Sequence, residues 1–321
     1  MTTDRFDLVP AHFAHEVSGY PAATAGGVTG EDWVLDLPDL LTDLLTEWEL
    51  EPIGRSMNGS CSVAVPVRLL GSGREAVGVS GEAVLKVTWP HPEAATEHLA
   101  LAAWDGQGAA RLIRADPTRH GLLLERLHDR DLTRLDIDDA CAVIGDLLAR
   151  LRRPPHPRMP LLDDYANRQA VELRSAPPVI PRRYLDQAAS LAAELVARPA
   201  AEARLLHTDL HYTNVLGAYR SPWLAIDPKP MAGDVAFEVA PALWNRAGEL
   251  GTGSQIRWSL RRRLEIICER AGIDEGRARA WTIVREADNA LEFADDADTS
   301  ATSPARDRIS LAVMIIKAMN D

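Results

Sequence analysis

The sequence predicts an α+β chain of two lobes, a small antiparallel sheet with a helix laid against it, followed by a larger helical lobe. Three observations carry this. Short apolar runs separated by turn signals crowd the stretch before about residue 125. From Leu132 onward, apolar residues recur mainly at helical spacing. The two patterns come in blocks and do not alternate, which excludes a doubly wound parallel sheet. The division is placed between residues 1–127 and 128–321.

Residues 31–50, EDWVLDLPDLLTDLLTEWEL, space Leu and Trp three and four apart and predict an amphipathic helix. Met57-Asn58-Gly59-Ser60-Cys61 is a turn signal leading into the strand SVAVPVRLL. Pro66 cannot donate to a ladder, so this strand is expected at an edge or with a bulge. After the Gly-rich turn GSGREAVGVSG comes the strand EAVLKVTW. PEAATEHLALAAW, 92–104, reads as a helix with proline near its start. AARLIRAD and GLLLERL complete the sheet. Helices are predicted over 136–152, 162–175, 182–198, 256–271, 276–293 and 306–320, interrupted by the apolar runs LLHTDL and WLAID. RRPPHPRMP (152–160) and DDADTSATSP (295–304) are connectors.

Composition narrows the function classes. The 321 residues, 46% hydrophobic and 26% charged, have the mix of an ordinary globular protein. No apolar run approaches the ~18 residues that cross a bilayer, and MTTDRFDLVPAHF does not read as a signal peptide. Cys61, Cys141 and Cys268 form no CxxC pair, as expected of reduced cytoplasmic thiols. A net charge of −12 opposes nucleic acid and favours cationic ligands; no membrane or protein partner is implied. Of 35 basic residues only Lys86, Lys229 and Lys317 are lysines. Where arginine serves nearly everywhere, a retained lysine points to a need for a compact ammonium.

The densest signal is His207-Thr208-Asp209-Leu210-His211-Tyr212-Thr213-Asn214, followed by Trp223-Leu224-Ala225-Ile226-Asp227. Phosphoryl transfer needs a carboxylate beside the nucleophilic hydroxyl and oxygen ligands for magnesium. A bilobal protein-kinase-like fold supplies them as a loop Asp, an Asn five residues on, and a second Asp after the next strand. Asp209, Asn214 and Asp227 have that order. Two plainer readings stand beside it: Asp209 and Asn214 as helix caps, or His207, Asp209 and His211 as a metal cluster. Lys86 is a lone lysine on an apolar strand, sharing a face with Val84. It suits the lysine that grips α- and β-phosphates and pairs with a helix glutamate, Glu97 first and Glu93 as fallback; the alternative is a strand-edge lysine that discourages aggregation. Asn58, Gly59 and Ser60 stand where a phosphate-covering loop belongs, and a plain hairpin turn fits them equally. Main-chain groups around Glu125 to Leu127 are placed to read an adenine edge.

These residues resemble the aminoglycoside phosphotransferases, in particular the streptomycin 6-phosphotransferase and hydroxyurea phosphotransferase group. The stretch LLHTDLHYTNVLGAYRSPWLAIDPKPMAGDVAFEVAPALWNR, 205–246, carries most of the likeness, with LPDLLTDLLTEWEL, LKVTWPHPE and GAARLIRADPTRHGLLLERL in the same order. Similarity spans roughly 30–246. The resemblance implies ATP and Mg2+ as cofactors, a small-molecule hydroxyl as acceptor, and a role in antibiotic resistance. It makes Asp209 the catalytic base, Asn214 and Asp227 the magnesium ligands, and Lys86 the phosphate-binding lysine. Asp234 belongs to the same motif and is expected to brace the catalytic loop. Because streptomycin carries two guanidinium groups, Glu238, Glu286, Asp288, Glu292 and the acids at Asp295 and Asp296 are candidate substrate carboxylates. Three other outcomes remain open: a kinase of another metabolite or of hydroxyurea, a silent nucleotide-binding module, and a metal-dependent hydrolase built on His207.

Overall fold

The computed structural model describes residues 8–70, 81–295 and 304–320, so most of the Gly-rich turn and of the acidic connector lies outside the described residues. The chain falls into two compact units, Met1–His128 with Ala218–Arg220, and Asp129–Gly217 with Ser221–Asp321.

The first unit opens with helices α1 (Ala11–Ser18) and α2 (Gly30–Glu47). Thr29 caps α2, its hydroxyl accepting the Asp32 N–H at 3.1 Å, and Glu31 and Asp32 suit the positive end of the helix dipole. Trp33, Leu37, Leu41 and Leu44 form the buried stripe. It packs on a sheet of β1 (Leu50–Pro52), β2 (Met57–Asn58), β3 (Ser62–Leu69) and β4 (Glu82–Thr88). Two more strands, β5 (Leu112–Asp116) and β6 (Gly121–Glu125), follow α3 (Glu97–Trp104). The order is β1-β3-β4-β6-β5 with β2 also on β3, every pairing antiparallel. Period-two alternation sends Val63, Val65 and Val67 of β3 and Ala83, Leu85 and Val87 of β4 into one core with the α2 stripe. Lys86 therefore points to the opposite face. The predicted helix over 92–104 begins instead as a 3-10 turn, Pro92–Thr96.

Pro66 is not at an edge of the sheet. β3 is paired on both sides, with Pro66 opposite Val84 in β4. The Pro66 carbonyl accepts Ile53 N–H at 2.9 Å, so its imide nitrogen also faces the β1 and β2 side. There the ladder is interrupted between Pro52 and Met57. The missing donor falls in that gap, where proline removes no ladder bond.

The second unit is helical: α4 (Ile137–Arg150), α5 (Leu162–Ser175), α6 (Arg182–Ala197), then, after the strands below, α7 (Ala240–Trp244), α8 (Ser254–Ala271), α9 (Glu275–Asp295) and α10 (Pro304–Asn320). Two short antiparallel pairs interrupt it. β7 (Arg204–Leu206) pairs β10 (Met231–Gly233), and β8 (Val215–Gly217) pairs β9 (Trp223–Ala225). No helix among the described residues is long and apolar enough to cross a membrane.

Candidate active site

The register of β8 and β9 explains the spacing of the motif. Val215 lies opposite Ala225, so Asn214 and Ile226 leave the same end of the hairpin, and Ile226 N–H donates to Asn214 O at 2.9 Å. Asp227 follows at once. Two oxygen-bearing side chains thirteen positions apart in the chain are thus brought to one hairpin end. Asn214 Nδ2 donates to Asp209 O at 2.9 Å and approaches Asp209 Oδ2 at 3.4 Å. That leaves the Asn214 amide oxygen as the remaining acceptor, a ligand type that hard cations take. No group of three or more His, Cys, Asp or Glu side chains suited to a metal occurs among the described residues. A site of one carboxylate and one amide fits magnesium, which is commonly completed by water and phosphate oxygens.

The Asp209 carboxylate is 20% exposed, with His211 Nε2 3.8 Å from Oδ1 and Lys229 Nζ 3.5 Å from Oδ2. His207 does not belong to a metal cluster. Its Nε2 donates to Ile226 O at 2.9 Å and its Nδ1 accepts Asp209 N–H at 3.3 Å, so both ring nitrogens are engaged. Burial pushes its pKa down to about 4 against the pull of the neighbouring Asp209 charge, which keeps the ring neutral and its tautomer fixed. The ring ties the loop before Asp209 to the strand before Asp227.

Thr208 and Asp227 both have left-handed backbones, with φ of 61° and 56°. A β-branched residue there costs about 1–3 kcal/mol and persists only when its surroundings impose it. At Thr208 they do: its N–H donates to Glu238 Oε2 at 3.1 Å, its hydroxyl to Lys229 O at 2.6 Å, and its carbonyl accepts Arg285 Nη1 at 3.0 Å. Glu238 also takes the His207 N–H at 2.6 Å.

Those bonds correct two expectations. Glu238 is 4% exposed with both oxygens on loop amides; it braces the loop that carries Asp209 and is no surface carboxylate for a substrate. Asp234, expected as that brace, caps the next 3-10 turn through Ala236 N–H at 3.0 Å. Its other oxygen accepts Arg277 Nε at 2.7 Å and Trp281 Nε1 at 2.8 Å, which anchors α9. Glu286 is also withdrawn from the surface, at 2% exposure. Asp288 is half-buried and accepts the Tyr165 hydroxyl at 2.8 Å. Arg285 and Lys229 carry the loop's remaining contacts, and neither stands out by motif; the scarcity of lysine was the one signal for Lys229.

In the first unit, Lys86 Nζ donates to both Glu97 oxygens, at 2.7 and 2.8 Å, with side-chain exposures of 9% and 5%. Glu93 sits on the exposed 3-10 turn before α3. Asn58 ends β2, and Gly59 and Ser60 open the turn to β3, closed by Gly59 N–H on Ser62 O at 2.9 Å, so that amide is already engaged. Glu125 N–H donates to Arg111 O at 3.0 Å, and its carboxylate pairs with Arg220 Nε at 2.9 Å. That donor too is taken within the sheet, and Leu127 lies half-buried beyond the end of β6.

Over residues 47–297 the chain matches the family described as aminoglycoside/hydroxyurea antibiotic resistance kinase. It belongs to that family. Streptomycin 6-kinase of Streptomyces glaucescens is 39% identical over 88% of this chain and 91% of its own. Hydroxyurea phosphotransferase of Kitasatospora aureofaciens is 39% identical over 86% of this chain and 78% of its own. Among solved structures, a thermostable mutant of aminoglycoside phosphotransferase APH(4)-Ia in ternary complex with ADP and hygromycin B superposes with a TM-score of 0.58. It shares 15% identity, over 87% of this chain and 98% of its own. An ethanolamine kinase of Plasmodium vivax gives 0.54 at 14% identity, over 90% of this chain and 88% of its own. The bilobal α+β fold is therefore that of the small-molecule kinases, and this aminoglycoside/hydroxyurea kinase family member is a small-molecule phosphotransferase.

In this kinase, Glu286 makes a pH-dependent contribution to stability. Burial raises its pKa from an ordinary 4.5 to about 8, opposed by the Arg285 charge and an Asn289 hydrogen bond, and its Oε1 is buried without a hydrogen-bond partner. The folded state thus prefers the protonated carboxyl. The stability gained is complete below the unfolded-state pKa and is lost as pH rises through about 8. Glu238, raised to about 7 by burial, acts with the same sign. Glu286→Gln is expected to leave the melting temperature near pH 5 unchanged and to raise it above pH 8, by ~2–4 °C for each kcal/mol recovered. Parallel melting curves for the two proteins from pH 5 to 9 would refute this.

Proposed function

We propose that the protein moves the γ-phosphate of MgATP to a hydroxyl of a small molecule, with an aminoglycoside such as streptomycin as acceptor. Asp209 takes the hydroxyl proton. Asn214 and Asp227 would hold magnesium, which when bound would offset the charge of the phosphates. Lys86, oriented by Glu97, grips the α- and β-phosphates, under the turn of Asn58, Gly59 and Ser60. Main-chain groups after Glu125, toward Leu127, read the adenine edge. The observation that carries this reading is a solvent-reachable Asp209 carboxylate held by Asn214 at the end of the Asp227 hairpin. A silent module would have no need to keep that set complete.

The acceptor reading rests on the 39% identity to streptomycin 6-kinase and on the net charge of −12. With Glu238 and Glu286 engaged inside the fold, the candidate carboxylates of α9 left to meet a guanidinium are Glu292, which is exposed, and Asp288. Asp288 stands one helical turn from Arg285, whose guanidinium reaches the Thr208 carbonyl. Hydroxyurea is the second reading, supported by equal identity to a hydroxyurea phosphotransferase. ADP release with MgATP is to be measured on streptomycin, other aminoglycosides, hydroxyurea and small alcohols. The expected result is turnover on streptomycin, with kcat/KM falling from low salt to ~0.5 M as screening removes steering. Asp288→Asn should raise KM for streptomycin and leave a neutral acceptor untouched. Phosphorylation of hydroxyurea alone would transfer the assignment to the second reading, and nucleotide binding without ADP release on any acceptor would leave the silent module.

A further inference from the structure

We infer that Lys229 is a second catalytic cation of this kinase, one that meets the charge of the phosphoryl group as it leaves ATP. The inference rests on the phosphotransferase reading above and adds a residue to it. Lys229 Nζ stands 3.5 Å from Asp209 Oδ2, with 43% of the side chain exposed, whereas Lys86 is 9% exposed and held on Glu97. The ammonium is therefore at the open edge of the base carboxylate and not sealed in the core.

The fold takes unusual care over this position. Lys229 lies between Pro228 and Pro230, each of which fixes its own φ. Its N–H donates to His207 O at 3.0 Å, and its carbonyl accepts the Thr208 hydroxyl at 2.6 Å. Both main-chain groups of Lys229 are thus pinned to the two residues preceding the base. The Thr208 bond is made from a left-handed backbone that a glycine would adopt without strain. Glycine has no hydroxyl to hold the Lys229 carbonyl, so the strained threonine has a physical reason. Arginine fills nearly every other basic position, while this one keeps an ammonium.

The chemistry follows from distance. An acceptor hydroxyl bonded to Asp209 at roughly 2.6–3.2 Å, with its oxygen ~3–3.5 Å from phosphorus, brings the moving group along the same carboxylate edge. Negative charge is then spread over three equatorial oxygens. The hydroxyl proton passes to Asp209, the bond from the bridging oxygen to phosphorus breaks as the new O–P bond forms, and the electron pair leaves with ADP. Lys229 exchanges no proton. It stays an ammonium and donates hydrogen bonds to the phosphoryl oxygens.

The test compares the affinities of the wild type, Lys229→Met and Lys229→Arg for MgADP and for MgADP with aluminium fluoride, a mimic of the phosphoryl group in flight. Lys317→Met serves as a lysine control. Lys229→Met should bind MgADP as the wild type does and lose ~10²-fold in affinity for the aluminium fluoride complex, with kcat falling similarly and acceptor KM little changed. Lys229→Arg should recover only part of the loss, since a planar fork does not replace a compact ammonium. Undiminished aluminium fluoride affinity in Lys229→Met, or an equal fall in both affinities, would overturn the proposal. A wild type that fails to bind MgADP at all would instead overturn the phosphotransferase reading beneath it.

Discussion

Asp209→Asn is expected to fold and bind MgATP like the wild type while losing ~10²–10⁴-fold in turnover, the range of a general base. The fold should survive because the half-buried carboxylate makes no close ion pair. Its contacts with His211 and Lys229, at 3.8 and 3.5 Å, are long for ion pairs. The loop itself is held elsewhere, by Glu238, Arg285 and the Thr208 hydroxyl. An asparagine preserves the shape but has no basic oxygen to receive the hydroxyl proton. Turnover is to be read beside a melting curve and a nucleotide titration. A variant that keeps more than about half of the wild-type rate would remove Asp209 from the mechanism.

The second large effect is expected at Lys86 and Glu97. Both side chains are nearly sealed from solvent and make two bonds below 3 Å. Breaking such a pair from one side leaves a buried charge without its counter-charge, at about 3–5 kcal/mol. Glu97→Ala should therefore lower the unfolding midpoint in denaturant and also raise the apparent constant for ATP. Lys86→Met with Glu97→Leu replaces both charges by apolar groups and should recover most of the stability, because desolvation no longer opposes folding. Activity should stay lost in the double variant. Lys86→Arg is expected to fail as well, since its planar fork would engage both Glu97 oxygens without offering the phosphates a compact ammonium. Restored turnover in the double variant would show that the lysine matters for folding alone.

The site was partly legible. Asp209, Asn214 and Asp227 could be picked out because their spacing reflects a loop and a two-strand hairpin, both local devices. Lys86 stood out as a charge within an apolar alternation. Glu97 could be chosen over Glu93 because Leu101 and Trp104, which follow it at helical spacing, are buried with it. The acids were not legible. Glu238, Glu286 and Asp288 look alike in the sequence, yet the first holds two amides of a loop some thirty residues away, the second is buried, and the third reaches Tyr165. Asp234 and Glu238 lie four residues apart, yet the bracing expected of Asp234 is made by Glu238, while Asp234 anchors α9.

The chain's own pattern determined what depends on neighbours in sequence: the helix spans, the strand faces, the order of the two lobes and the motif of the transfer loop. Hydrophobic periodicity and turn chemistry act over a few residues and leave a trace that can be read. Tertiary structure alone decided which carboxylates are sealed, which amides they hold, and why Pro66 can sit inside a sheet. Those outcomes depend on which segments desolvate one another across long stretches of chain. Lys229 lies between the two cases. Its rarity is written in the composition, but its place beside Asp209 depends on tertiary bonds to its main chain, from its N–H to the His207 carbonyl and from the Thr208 hydroxyl to its carbonyl.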